Sequence, residues 1–431
     1  MGIFLDFVYL LAGLAYSPKI IYRAIKHKRY RTGWGQRFGK ISRRTPTKKC
    51  IWLHAVSVGE VNAAKTIVAE LTKRFPDFEI VISTTTDTGF ARAGSIFDDD
   101  YQIFYFPFDF TWVLRRAFNN IQPAICLLME LEVWPNFVEI AQRTGVPVIV
   151  VNGRISDKSF SGYRKIKPFA KKIFSRISLV LAQTDEYAQR FRQLGTSNDK
   201  VVVTGSLKYD TAQISDKVNG SDILAAQLNI GNERLWVAGA TGNEEEKKLL
   251  DVYIELKHQE RFKDLRLVIV PRKPERFDEV AQLIEGRNMP LARYSLIKEN
   301  SNHVTVDSQA VILGDTMGDL RKFYSLATII FVGRSLVPMG GSDMMEAAAL
   351  GKCTIFGPYA FNFKQTVDAL LANDGAIIVK DENDLLKALQ KCLLEPVYAQ
   401  RIAKNGQNVI RKNQGATKKS IEQITKILKS M

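Results

Sequence analysis

Glu60, in the stretch IWLHAVSVGEVNAAK (51–65), is the first residue whose type and place point to chemistry. The apolar run Ile51-Trp52-Leu53 reads as a buried strand of a parallel sheet, and Val61, Ala64, Ile67, Val68 and Leu71 recur at helical spacing. His54, Ser57, Gly59 and Glu60 therefore fall at a strand-to-helix turn, the edge where open α/β sheets bind ligands. A carboxylate there can deprotonate a hydroxyl. It also suits a cap on the helix N-terminus, and the stretch alone favours capping. Glu130 and Glu132 in MELEVWPN, Asn152-Gly153-Arg154, Thr84–Gly89 and Lys208 in GSLKYD likewise follow apolar runs. Lys208 suits a negatively charged leaving group or transition state. Each has a structural counterpart: Glu132 beside Trp134-Pro135 can hold a turn, and Lys208 can pair with Asp210. Polar groups recurring at successive strand ends strengthen the chemical reading.

The second half carries a different set. Gly239-Ala240-Thr241-Gly242 follows a strand-like run, Pro271-Arg272-Lys273 places cations at another, and GDTMGDL (314–320) is a small-residue turn. In SLVPMGGSDMMEAAALGK (335–352), Gly340-Gly341-Ser342 are expected to present N–H groups to a phosphate at a helix start, with Glu346 in reach of ribose hydroxyls. A tight turn with an acidic residue fits the same letters. Neither GxxxxGK[ST] nor a strand-linked GxGxxG occurs, which removes support from NTPase and dinucleotide redox readings.

These residues need elements to position them. Runs at 51–56, 79–84, 125–129, 146–151, 179–183 and 201–205 alternate with helix-like segments, and YFPFDF (105–110) reads as a loop. A polar break near Ser215–Asp222 precedes a second series at 235–241, 265–272, 310–315, 328–333, 352–357 and 375–380. This alternation predicts two α/β domains with doubly wound parallel sheets. Residues 3–16, IFLDFVYLLAGLAY, are strongly apolar, and Arg23, Lys26, Lys28, Arg29 and Arg31 follow. Asp6, Pro18 and Lys19 interrupt the run, so a membrane anchor or marginal span is expected rather than a cleaved signal, with a helix buried against the protein as the alternative. The net charge of +16 favours an anionic partner: nucleic acid, membrane surface or phosphorylated substrate. Cys50, Cys126, Cys353 and Cys392 form no CxxC pair, and His27, His54, His258 and His303 are scattered, so no metal site is expected.

The ordered motifs GWGQRFG (33–39), HAVSVGE (54–60), YFPFDF, ELEVWPN (130–136), NGRISDKSFSGY (152–163), GSLKYD (205–210), PRKPERF (271–277), LGDTMGDL (313–320), FVGRSLVPMGG (331–341) and FGPYAFNF (356–363) resemble the Kdo transferase family, which moves 3-deoxy-D-manno-octulosonic acid (Kdo) onto lipid A precursors. The resemblance implies a GT-B glycosyltransferase, two Rossmann-like domains facing a central cleft, with an N-terminal membrane-anchoring segment. It implies an anchor at 1–24, an acceptor-binding domain at 25–214, a linker at 215–228, a CMP-Kdo-binding domain at 229–415 and a C-terminal helix at 416–431. By the same resemblance Glu60 is the general base, and Glu130 and Lys208 stabilise the transition state. Pro271, Arg272, Met317, Gly318, Asp319, Asp343, Met344, Met345 and Glu346 match segments that contact CMP. No cofactor or metal is implied. The resemblance also implies CMP-Kdo as the donor, a lipid A precursor as the acceptor, and inner-membrane lipids as partners on the cytoplasmic side. Departures cluster in the donor half, where Ser342-Asp343, Lys273 and Asp319 stand in place of the family's frequent His-Asn, His and Glu. A transferase using another nucleotide sugar, and a noncatalytic basic nucleotide- or nucleic-acid-binding protein, are the alternatives.

Overall fold

The computed structural model describes residues 2–27, 32–97, 100–299 and 306–429. Lys28, Arg29 and Arg31 of the basic block, and His303, lie outside them. The chain divides into two compact units, Met1–Thr211 with Asn413–Met431, and Ala212–Lys412.

The N-terminal unit is built on seven parallel strands: β1 (Lys49–His54), β2 (Phe78–Thr84), β3 (Gln102–Tyr105), β4 (Pro123–Met129), β5 (Val148–Gly153), β6 (Leu179–Ala182) and β7 (Val201–Val203). Their order is β3-β2-β1-β4-β5-β6-β7, so the winding reverses between β1 and β4. Both faces are covered. Cys50 and Trp52 pack into one core with Phe104, Phe118 and Phe137, and Ile51 and Leu53 into the other with Val61, Ala64 and Ile67. Burial on both faces is why these strands read as unbroken apolar runs.

The second unit repeats the plan with β8 (Arg234–Thr241), β9 (Leu265–Pro271), β10 (Leu291–Arg293), β11 (Val311–Leu313), β12 (Ile329–Val332), β13 (Cys353–Phe356) and β14 (Ile377–Ile378). The order β10-β11-β9-β8-β12-β13-β14 is again parallel and reverses between β8 and β12. The sequence reading missed β3 and β10. Both are short edge strands with only partial burial, too brief for an apolar run to mark them.

The expected linker at 215–228 is corrected in part. Residues Ser221–Gln227 form a helix, entered through Gly220 at φ 79°, that buries Leu224 and packs on the helix Leu320–Leu326. Arg266 donates to the Leu228 carbonyl at 3.1 Å, tying this stretch into the C-terminal unit. The last helix, Ala416–Lys429, crosses back to the N-terminal unit, where Ile421 and Ile424 join the core beside Val61 and Ile67.

The N-terminal helix Gly2–His27 is not long and apolar enough to cross a membrane, nor is any other helix among the described residues. This corrects the marginal-span expectation. Asp6, read in the sequence as an interruption, is a docking group: its Oδ1 accepts from the Thr111 N–H at 2.8 Å and from Asn136 Nδ2 at 3.0 Å. Tyr9 donates to Asp109 at 3.0 Å. Leu5 is buried, while Phe4, Phe7, Leu10, Leu11 and Leu14 face outward.

Trp52 is fully buried, with the rings of Phe104, Phe106, Phe118 and Phe137 between 5.1 and 5.9 Å away and its indole N–H on Ser83. Trp52→Ala should destabilise the N-terminal unit by about 3–5 kcal/mol. Denaturant unfolding followed by a probe in that unit checks this, and a shift under about 1 kcal/mol would show that the cluster collapses to fill the space.

Candidate active site

At the winding reversal of the N-terminal sheet, β1 ends in His54 and the next helix begins at Val58. Ser57 caps that helix and accepts from the Glu60 N–H at 3.4 Å. The Glu60 carboxylate turns back, accepting from the Val56 N–H at 2.9 Å and from the Ser57 hydroxyl at 2.9 Å. This is a capping box in which the acidic partner reaches one residue before the cap. The structural reading of Glu60 therefore holds, and it does not exhaust the residue. Glu60 is buried, and burial raises its pKa above the ordinary value; the Val56 N–H pulls against that and the charge of Glu130 adds to it.

Glu130 stands at the end of β4, the strand beside β1, in a left-handed conformation at φ 52°. Lys208 Nζ lies 3.9 Å from Glu130 Oε1. The alternative pairing of Lys208 with Asp210 is overturned, because Asp210 is engaged by the Gly415 N–H at 2.7 Å and the Thr417 N–H at 2.5 Å. Asn152, at φ 57° and buried, accepts from the Leu207 N–H at 3.0 Å and so sets the turn that carries Lys208. Gln183 Nε2 donates to the Asn152 carbonyl at 2.9 Å. The three expected catalytic residues, Glu60, Glu130 and Lys208, thus belong to one electrostatic cluster, with Glu132 as a fourth member. Trp134 Nε1 donates to Glu132 at 3.1 Å, so this residue does hold a turn. Its carboxyl is nonetheless pushed up to about 7, by burial first and then by the charge of Glu60. Tyr163, which the sequence did not single out, feels the Glu132 charge.

His54 is buried and stacked on Phe106 at 3.8 Å between centroids. Its Nδ1 meets Ser83 Oγ at 3.0 Å, and burial lowers its pKa to about 3, so the ring is neutral at pH 7. It is a member of the core.

In the C-terminal unit the donor-side residues separate into groups. Pro271 is buried in β9; the exposed Arg272 has its N–H on the Thr241 carbonyl at 3.1 Å. Glu346 is partly buried, which raises its pKa; Asp343 adds to this while Arg321 and Arg272 oppose it. Arg272 and Asp343 therefore both act on Glu346. The exposed Asp343 accepts from the Met345 N–H at 2.9 Å, whereas Met344 and Met345 are core side chains with only backbone to offer. Met317 is exposed, beside Gly318 at φ 91°. Asp319 is buried; burial works to raise its pKa, but hydrogen bonds from Lys322 at 2.7 Å, Lys298 at 2.9 Å and Thr316 at 2.8 Å outweigh it and bring the value to about 2. With its oxygens so engaged, Asp319 fastens its turn.

The expected phosphate cradle at Gly340-Gly341-Ser342 is corrected. The helix starts only at Met345, and the Gly341 N–H is taken by the Arg334 carbonyl at 2.8 Å. The glycines serve close approach: a Cβ on Gly340 would come within 2.1 Å of Asn362. A group missed by the sequence reading is Glu245, fully buried at the reversal between β8 and β12. It accepts from the N–H groups of Gly242 at 3.2 Å, Arg334 at 2.5 Å, Ser335 at 2.9 Å and Leu336 at 2.9 Å. Among the described residues, no group of three or more His, Cys, Asp or Glu is placed to hold a metal ion.

Since folding raises the Glu132 pKa, its protonated form is the one the fold favours. That contribution to stability is full below about 4.5 and is lost as pH rises through about 7. Glu132→Gln keeps a neutral side chain at all pH, so its thermal midpoint should fall less than that of the parent between about pH 5 and about pH 8. Identical pH dependence in the two proteins would remove Glu132 as the titrating group.

A model of the family described as 3-deoxy-D-manno-octulosonic-acid transferase (kdotransferase) matches residues 32–211, the stretch that carries Glu60, Glu130 and Lys208. The 3-deoxy-D-manno-octulosonic acid transferase of Haemophilus influenzae is 32% identical over 401 residues, covering 93% of this chain and 92% of that protein. The transferase of the same description from Bordetella pertussis is 31% identical, with 90% of each chain covered. A solved UDP-N-acetylglucosamine 2-epimerase shares the fold, with a TM-score of 0.56 over 88% of this chain and 95% of its own at 14% identity. With relatives this similar aligned almost end to end, the chain belongs to the 3-deoxy-D-manno-octulosonic acid transferase family and is a glycosyltransferase of the two-domain α/β class.

Proposed function

We propose that the chain transfers Kdo from CMP-Kdo to a hydroxyl of a lipid A precursor, lipid IVA, with inversion at the sugar's anomeric carbon, at the cytoplasmic face of the inner membrane. The observation that carries the reading is Glu60, buried with a raised pKa beside Glu130 and Lys208 at the winding reversal of the sheet. In this reading the acceptor O–H gives its proton to Glu60 as the new C–O bond forms, and the bond from the anomeric carbon to the CMP phosphate breaks with its electron pair leaving on the phosphate. Each Glu60 oxygen already takes one hydrogen bond, which holds the carboxylate in place and leaves lone pairs for the acceptor. Positive charge developing on the sugar is eased by Glu130, with Lys208 3.9 Å from its carboxylate. In the C-terminal unit Arg272 supplies positive charge for the departing CMP, and Asp343 and Glu346 supply acceptors for ribose hydroxyls. The charge of +16 and the outward Phe4, Phe7, Leu11 and Leu14 fit a phosphorylated lipid acceptor and attachment to a membrane surface.

Mass spectrometry of tetraacylated lipid A precursor incubated with CMP-Kdo should show mass added in whole Kdo units. Consumption of UDP-sugars with CMP-Kdo untouched would sink the donor assignment. For the base, Glu60→Gln should keep CMP affinity and lose turnover by roughly a hundred- to ten-thousand-fold; a folded variant with near-normal turnover excludes Glu60 from that role.

A further inference from the structure

The N-terminal unit contains a cavity of about 150 Å³ to which the proposed chemistry assigns no role, lined by Gly2, Thr111, Arg115, Asn136, Glu139, Ile140 and Arg143. Three oxygens among these residues, Thr111 Oγ1, Asn136 Oδ1 and Glu139 Oε2, are buried without a hydrogen-bond partner, the last facing Arg176 at 3.2 Å. Asn136 is 1% exposed, and its orientation is fixed because Nδ2 donates to Asp6 at 3.0 Å and to the Asp109 carbonyl at 2.6 Å. The amide oxygen is the end left over, and it calls for a donor. A Cβ on Gly2 would come 2.6 Å from Thr111 Oγ1 and 3.5 Å from Asn136 Oδ1, so a side chain there would press on the first of these oxygens.

The rest of the lining is Ile140 and three charged side chains. Arg115 and Arg143 are exposed, and the buried Glu139 carboxylate accepts from Arg143 at 2.5 Å and lies 3.2 Å from Arg176. Orphaned acceptors beside exposed guanidinium groups fit a zwitterion, an ammonium for the oxygens and a phosphate for the arginines. The helix that begins at Gly2 turns Phe4, Phe7 and Leu11 outward, at 71%, 59% and 52% exposure, a surface suited to the acyl region of a bilayer.

We propose that this cavity binds the phosphoethanolamine head group of a membrane phospholipid, the ammonium donating to Thr111 Oγ1 and Asn136 Oδ1 and the phosphate meeting Arg115 and Arg143. It rests on the membrane attachment proposed above. A primary ammonium has N–H groups to give and a choline head group has none, so the two lipids differ at the point of contact.

The test is co-sedimentation of the full chain with vesicles of phosphatidylcholine alone, with added phosphatidylethanolamine, or with added phosphatidylglycerol. Phosphatidylethanolamine should raise binding about tenfold over phosphatidylcholine alone. Thr111→Val removes a hydroxyl that has no partner to lose, so it should fold with an unchanged thermal midpoint and forfeit the gain; Arg115→Gln should weaken it independently. Equal binding to the choline and ethanolamine vesicles overturns the site, as does a gain that both variants retain. A gain from phosphatidylglycerol alone overturns it in favour of general attraction to the basic surface. Failure to bind any vesicle overturns the membrane attachment itself.

Discussion

A loop that leaves the end of a buried strand carries backbone N–H groups that need partners, and both sheets answer this with a carboxylate at the winding reversal. In the C-terminal unit Glu245 takes four backbone N–H groups, three of them from the 334–336 turn after β12. Its oxygens are saturated, and the result is two strand-end loops clamped together. In the N-terminal unit Glu60 occupies the corresponding place after β1 but accepts from only Val56 and Ser57. The same device is therefore structural in one sheet and left with acceptor capacity in the other. Capping and proton abstraction are compatible because the cap uses only part of the carboxylate.

Charge placement around Glu60 follows from which strands are neighbours. β4 lies beside β1 at the reversal, so Glu130 and Glu132 come from the adjacent strand end without any long loop. Three carboxylates in partly buried surroundings repel one another, and the repulsion is relieved in two ways: Glu132 is shifted toward its protonated form, and Lys208 approaches Glu130.

The sequence made the alternation of strands and helices legible because strands buried on both faces are unbroken apolar runs. Glu60, Glu130 and Lys208 were legible for the same reason, as polar residues where those runs stop. Less visible were interactions that depend on distant segments. Gly340-Gly341 resembles a phosphate cradle in its letters, yet the space it leaves is filled by Asn362 and the Gly341 N–H is spent on Arg334. Asp319 and Glu346 look alike as acidic residues after a turn; two lysines, from separate helices, engage the first and none engages the second. Asp6 reads as a flaw in an apolar run until Thr111 and Asn136, more than a hundred positions away, supply its partners.

Lys208 shows why the last helix belongs to the architecture of the first unit. Asp210, two residues on, would be the nearest carboxylate for it in sequence. The chain returns at Gly415 and Thr417, and their N–H groups, unsatisfied at the start of the Ala416–Lys429 helix, take both Asp210 oxygens. The Thr417 hydroxyl also bonds Thr66 at 2.8 Å, on the helix that begins with Glu60's cap. Asn152 fixes the other side of the turn through the Leu207 N–H. With Asp210 withdrawn, Lys208 is held toward Glu130 by backbone on both sides rather than by its own flexible side chain. The crossing of the C-terminal helix thus helps set the turn that carries Lys208.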